Sequence, residues 1–102
     1  MTKADLINEI SVKSGIDKIA VQTVVESMMK VVKTSIQNKE SVYLRGFGSF
    51  IPKKRAQKTG RIISKNEAII IPEHYIPAFK PAKTFMERVK NSIAKLEKEK
   101  QA

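Results

Sequence analysis

Ser41-Val42-Tyr43-Leu44-Arg45-Gly46-Phe47-Gly48-Ser49-Phe50-Ile51-Pro52-Lys53-Lys54-Arg55-Ala56-Gln57-Lys58-Thr59-Gly60-Arg61-Ile62-Ile63-Ser64-Lys65-Asn66 carries most of what the sequence says about fold and function. It opens β-branched and aromatic, turns at Gly46-Phe47-Gly48, and resumes at Ser49 as a strand that grows steadily more basic as far as Lys58. Thr59-Gly60 reads as a bend or the approach to a tip. A return strand is predicted from Glu67 to Ile71, and Pro72 confines it to an edge or a bulge. Tyr75 to Lys80 continues extended, because Pro77 and Pro81 disfavour helix in the residue before each of them.

The stretch is also where the charge lies. The chain has 102 residues, with 20 Lys plus Arg against 10 Asp plus Glu, a formal charge of +10. Residues 41–66 hold seven basic side chains and no acidic one, whereas residues 1–40 hold six and five, and residues 67–102 seven and five. A general solubility device would spread its excess; a binding element concentrates it. The partner implied is a polyanion, with nucleic acid ahead of an anionic membrane.

Working outward toward the N-terminus, Thr2 with Asp5 three residues on predicts a capping box, and Gly15 a left-handed helix end. Leu6, Ile7 and Ile10 share one face of that short helix. Asp17 is a second N-cap, followed by an apolar stripe at helical spacing: Val21, Val24, Val25, Met28, Met29, Val32 and Ile36. Asn38-Lys39-Glu40 closes this helix, so residues 1–40 form a helical hairpin. A DNA-reading helix-turn-helix is disfavoured here, because the polar side of the second helix mixes charge signs. Toward the C-terminus, Pro81 is placed at the start of a last helix with the stripe Phe85, Met86, Val89, Ile93 and Leu96. The polar tail Glu97 to Ala102 is expected to fray.

The resulting order is ααβββα, an α+β single domain over residues 1–102. Its parts are the hairpin at 1–40, sheet and arm at 41–80 with a tip near 60–67, and helix and tail at 81–102. A chain of this length can bury only a modest core alone, which favours dimerisation. Cysteine is absent, and the lone His74 has no ligand spacing around it, so no disulfide, metal or cofactor is expected. Glu9 and Glu26 belong to no catalytic motif, and no phosphate loop or nucleophile elbow is present, so no enzyme or small-molecule substrate is expected. No apolar leader follows Met1, and the run Ala68 to Ile71 is too short to span a bilayer, so a cytoplasmic location is expected.

As two antiparallel strands the basic segment would project as a ribbon, because it has too few large apolar groups to pack along its length. Ten residues of strand reach about 33 Å, enough to follow a groove around one side of a duplex. Lys and Arg on it would displace counterions at phosphates. An RNA-binding protein of ribosomal type is the alternative. The absence of any aromatic between Phe50 and Tyr75 weighs against it, since RNA modules stack bases on aromatic rings.

Three ordered motifs carry a resemblance over about residues 1–96: Arg45-Gly46-Phe47-Gly48-Ser49-Phe50, the basic run ending Thr59-Gly60-Arg61, and Ile76-Pro77-Ala78-Phe79-Lys80-Pro81-Ala82-Lys83. The chain resembles the HU/IHF family of bacterial nucleoid proteins. The resemblance implies an intertwined dimer with a helical base, a β-saddle and two protruding β-ribbon arms that wrap and bend DNA through the minor groove. It leaves open whether the second subunit is identical, and whether binding is sequence-specific. It implies a nucleoid location. By matching positions, Lys53, Arg55, Lys58 and Arg61 are implied to contact DNA from the arm, with Lys54 assisting. Lys80 and Lys83 match basic positions of the saddle and last helix, Arg45 lies near the same surface, and Lys65 belongs to the basic tip. Phe47, Phe50 and Phe79 match the aromatic core. Family arms usually end in Arg-Asn-Pro, the proline wedged between base pairs; here Ile63 stands in that place. Ile63, with Ile62, is therefore a wedge candidate, and a tip that no longer intercalates is the other reading.

Overall fold

The computed structural model describes residues 1–62 and 67–101, with the side chains of 61, 62, 67 and 101 left out of the description. Its elements are α1 (Lys3–Ser14), α2 (Lys18–Gln37), β1 (Val42–Leu44), β2 (Gly48–Arg55), β3 (Lys58–Ile62), β4 (Glu67–Ile71), β5 (His74–Pro81) and α3 (Lys83–Gln101). They fall into two compact units, Met1–Ser35 and Ile36–Ala102.

In the first unit the capping box forms as expected. The Asp5 backbone N–H donates to Thr2 Oγ1 at 3.2 Å, and the Thr2 N–H donates to Asp5 Oδ2 at 2.9 Å. Those bonds from Thr2, the backbone one foremost, hold the Asp5 carboxyl below its ordinary pKa. Gly15 adopts φ 74° and returns its N–H to the Ser11 carbonyl, the left-handed cap that a Cβ would disfavour. Asp17 caps α2, its Oδ2 accepting from the Ile19 N–H at 3.2 Å. The two catalytically isolated glutamates have structural partners. Glu26 pairs with Lys3 at 3.1 Å, which lowers its pKa ahead of the bond from Gln22, and Glu9 pairs with Lys13 one turn on.

The apolar stripe of α2 is only partly covered. Val21 and Ile7 are each 4% exposed, and they are the only buried hydrophobic residues among those described. Val24 and Met28 on the same stripe remain 67% and 45% exposed. The lone chain thus leaves most of its apolar helical surface in water.

In the second unit β1, β2 and β5 form an antiparallel sheet in the order β1-β2-β5, and β3 and β4 form a separate two-stranded ribbon. The three expected strands are therefore five segments. The single strand expected over Ser49–Lys58 stops at Arg55 and restarts at Lys58, and the return strand is interrupted at Pro72-Glu73. Pro72 has no N–H for a ladder, which accounts for the gap. Register survives it: Arg55 pairs with His74 and Lys58 with Ile71, two residues skipped on each side.

Three further expectations need correction. Of the two readings of Thr59-Gly60, a bend or the approach to a tip, the bend is excluded, because both residues lie inside β3, paired with Ile70 and Ile69. Pro81 does not start the last helix; it ends β5 opposite Gly48. The Ala82 N–H donates to the Phe47 carbonyl at 2.9 Å, which holds the chain against the sheet through Pro81 and delays α3 to Lys83. The tail expected to fray is helical as far as Gln101, as its Glu and Lys content allows, both being good helix formers.

Phe47 joins sheet to helix. Its ring lies 5.2 Å from Phe79 and stacks at 5.4 Å on Phe85, while Phe50 and Phe79 are 5.0 Å apart. The turn that presents it is closed by the Phe47 N–H donating to the Leu44 carbonyl, with Gly46 at φ 81°. Gly48 is required for a different reason: a Cβ there would lie 2.6 Å from both the Phe79 ring and the Lys80 carbonyl oxygen.

Candidate nucleic-acid interface

Strand alternation sorts the basic side chains of the three-stranded sheet onto faces. Residues paired directly across an antiparallel ladder share a face, and the next pair along points to the other. Phe50 pairs with Val42 and Phe79, Pro52 with Pro77, and Lys54 with Tyr75, so these belong to the aromatic face. Ser49 pairs with Tyr43 and Lys80, Ile51 with Ala78, Lys53 with Ile76, and Arg55 with His74, so these occupy the opposite face. Lys53, Arg55 and Lys80 therefore stand on one side of the sheet, exposed, with Tyr43 beside them at 77% exposure.

Lys54 is separated from its sequence neighbours. It lies on the other face, and its Nζ is 2.8 Å from Glu73 Oε1. Near it, Lys39 Nζ sits 4.7 Å above the ring of Tyr75, a cation–π contact. Lys39 reaches there from the end of α2, where it takes φ 64° and donates its N–H to the Ile36 carbonyl. One basic run thus divides into two cations that have no ion-pair partner among the described residues on one face and one paired with Glu73 on the other.

Arg45, Lys80 and Lys83 come together from three places in the sequence. All three line one shallow open groove, with Tyr43, Gly46 and Ser49 among the other lining residues. The β1–β2 turn supplies Arg45, β5 supplies Lys80, and Lys83 is the first residue of α3, whose first turn carries no acid. A helix start of this kind favours anions.

The β3–β4 ribbon carries Lys58, paired with Ile71, and Arg61, paired with Ala68. Its described side chains are exposed, Ile69, Ile70 and Ile71 at 41%, 63% and 43%. A strand pair folded back on a core would bury its isoleucines; this one does not. Ile63 and Lys65 lie outside the described residues, as do the side chains of Arg61 and Ile62. His74 is exposed, with Nδ1 3.0 Å from the Pro72 carbonyl oxygen.

The residue that sequence reasoning did not assign to the aromatic cluster is Phe85. It was placed only on the stripe of the last helix; nothing local to it signals the stacking on Phe47. The partnership of Lys54 with Glu73 was likewise missed, although the period-two alternation carried half of it.

Comparison with known proteins bears on this geometry. Residues 1–90 match the sequence model of the family described as bacterial DNA-binding protein. The chain is 37% identical over 90 residues to DNA-binding protein HU of Thermus thermophilus, covering 88% of this chain and 93% of that protein. It is 39% identical over 98 residues to the integration host factor subunit beta of Saccharophagus degradans, covering 91% of this chain and 96% of that one. Among solved structures, the Anabaena HU–DNA cocrystal structure superposes with a TM-score of 0.82 at 30% identity, covering 87% of this chain and 97% of its counterpart. With an α+β fold, ordered motifs and nearly full-length similarity in agreement, this chain belongs to the bacterial DNA-binding protein family of HU and integration host factor.

Proposed function

We propose that this protein is a non-catalytic architectural protein that binds duplex DNA in the minor groove and bends it, acting as a dimer in the nucleoid. The observation that carries this reading is the placement of the cations. Lys53, Arg55 and Lys80 share an exposed sheet face, Arg45 and Lys83 join Lys80 in one groove, and the ribbon bearing Lys58 and Arg61 leaves its isoleucines uncovered. A thin ribbon fits a groove, and its cations gain affinity by releasing counterions from phosphates. Its exposed aliphatic side chains are suited to the apolar contacts that minor-groove binders make. Residues 1–102 act together as one DNA-binding domain.

Two subunits are needed on physical grounds. A chain with two buried hydrophobic residues among those described, and long exposed stripes on α2 and α3, cannot hold its fold against the loss of conformational entropy. A second copy is the simplest cover for these stripes, since a two-fold interface uses the same patch on both subunits. The relatives named as subunits of integration host factor make a mixed pair the alternative. Ile62 and Ile63 retain their proposed role as the wedge at the tip.

Competition between a duplex DNA and a duplex RNA of the same sequence tests this function. The DNA should win, and its affinity should fall about 10³–10⁵-fold between about 50 and 200 mM salt if six to ten phosphates are contacted. Equal competition by RNA, or a shallow salt slope, would overturn it.

A further inference from the structure

His74 is the one histidine of the chain, and the interface described above makes no use of it. It opens β5 where the sheet gives way to the ribbon, exposed and paired across the ladder with Arg55. Direct partners in an antiparallel ladder share a face, with Cβ atoms about 5 Å apart. The imidazole therefore stands on the side of the sheet that carries Arg55, Lys53 and Lys80, and no ladder residue of that side is acidic. Its ring is also tethered, with Nδ1 3.0 Å from the Pro72 carbonyl oxygen. A carbonyl can only accept, so the contact is a hydrogen bond when Nδ1 carries the proton. In the neutral ring Nε2 is then the bare nitrogen, and a second proton arriving from solvent attaches there. The tether is the same in both states, so charging the ring does not require it to move.

The charged groups around His74 come from each neighbouring segment. From β2, Arg55 lies directly opposite and Lys53 stands two residues along on the same face. Glu73, the preceding residue, is engaged at 2.8 Å by Lys54, which belongs to the other face, as does Tyr75 beneath Lys39. On the ribbon side, Lys58 begins β3 and Ile71 ends β4. A charged His74 thus has cations for neighbours on its own face and finds its counter-charge outside the sheet. Like charges directly opposite on a ladder repel, and an anion between them turns repulsion into a shared attraction. Capture of a phosphate by the pair and uptake of the proton therefore favour each other, and that coupling is reciprocal.

We propose that His74 is a further DNA contact, active as a cation, that grips a backbone phosphate together with Arg55 and so couples duplex binding to proton uptake in each subunit. This rests on the DNA-binding reading given above. Imidazole is the side chain that ordinarily changes charge between about pH 5 and 8. The added contact is present at the acid end of that range and lost toward the alkaline end.

The full chain is compared with His74→Asn, whose amide can still donate to the Pro72 carbonyl but takes up no proton, and with His74→Lys, which stays charged. Duplex binding is followed by anisotropy at constant ionic strength between about pH 5.5 and 8.5, which brackets imidazole titration, with circular dichroism reporting the fold at each pH. Over that range the parent should gain about three- to thirtyfold more affinity on acidification than His74→Asn does, from two exposed ion pairs per dimer. Its slope of log affinity against log salt should steepen by up to about 1.8, whereas His74→Lys should show the steep slope throughout. Because the chain has a single histidine, its ring resonance reports protonation directly and should reach its charged position at a higher pH with duplex bound than without. Equal pH dependence in the parent and His74→Asn, or a loss in His74→Asn that is the same at every pH, overturns the proton-coupled contact and leaves the DNA-binding reading standing. A parent that binds duplex at none of these pH values overturns both.

Discussion

Three consecutive cations, Lys53, Lys54 and Arg55, make a direct test of the interface, because the sheet sends the middle one to the opposite face. Consider replacing each by alanine and measuring binding to a duplex of about 30 base pairs, roughly 100 Å at about 3.4 Å per base pair. Each phosphate contact contributes about 0.9 to the slope of log affinity against log salt, and a dimer carries the changed position twice, so Lys53→Ala should reduce the slope by about 1.8. Raising salt fourfold, from about 50 to about 200 mM, should then weaken that variant about twelvefold less than it weakens the parent. Arg55→Ala should behave alike. Lys54→Ala should leave the slope nearly unchanged, since its ammonium is already 2.8 Å from Glu73 and faces the aromatic side of the sheet. Anisotropy titrations at four salt concentrations resolve a slope change of this size. If Lys54→Ala reduces the slope as much as Lys53→Ala does, the assignment of faces as the source of binding is wrong.

Two further predictions concern single residues. Gly48→Ala places a methyl 2.6 Å from the Phe79 ring and from the Lys80 carbonyl oxygen, and main chain cannot retreat as a flexible side chain can. It should destabilise the protein by about 1–3 kcal/mol in denaturant unfolding at fixed protein concentration, and a change below about 0.5 kcal/mol would contradict the close approach. Ile63→Ala should reduce the bend of a duplex measured by energy transfer between its ends; an unchanged bend removes the wedge role.

Helices and caps were legible because their causes are local. Thr2 and Asp5 satisfy each other's backbone within four residues, and Gly15 tolerates the left-handed φ that a Cβ would oppose. The basic segment was legible for the same reason, since its lack of acid is a property of contiguous sequence. What escaped was set by partners distant in the chain. The end of β5 at Pro81 depends on a hydrogen bond from Ala82 to Phe47. The proline itself is equally suited to open a helix, so local reading chose the wrong side. Lys54 was read as assisting the other arm cations until a ladder partner, Tyr75, and an acid, Glu73, gave it a different environment. The stripe of α2 was visible as a stripe, but sequence periodicity says only that a face is apolar, not which chain covers it.

The paired skips at Ala56-Gln57 and Pro72-Glu73 divide one in-register hairpin into a shorter ribbon and a broader sheet. Among the described residues no ladder pair is assigned across that interval, so the main chains there are held by connectivity rather than by cross-strand bonding. Such an elbow lets the outer segment change its angle to the inner one at little enthalpic expense, with its strand pairing carried along as a unit. A limb articulated in this way would conform to duplexes of unequal curvature instead of imposing a single one.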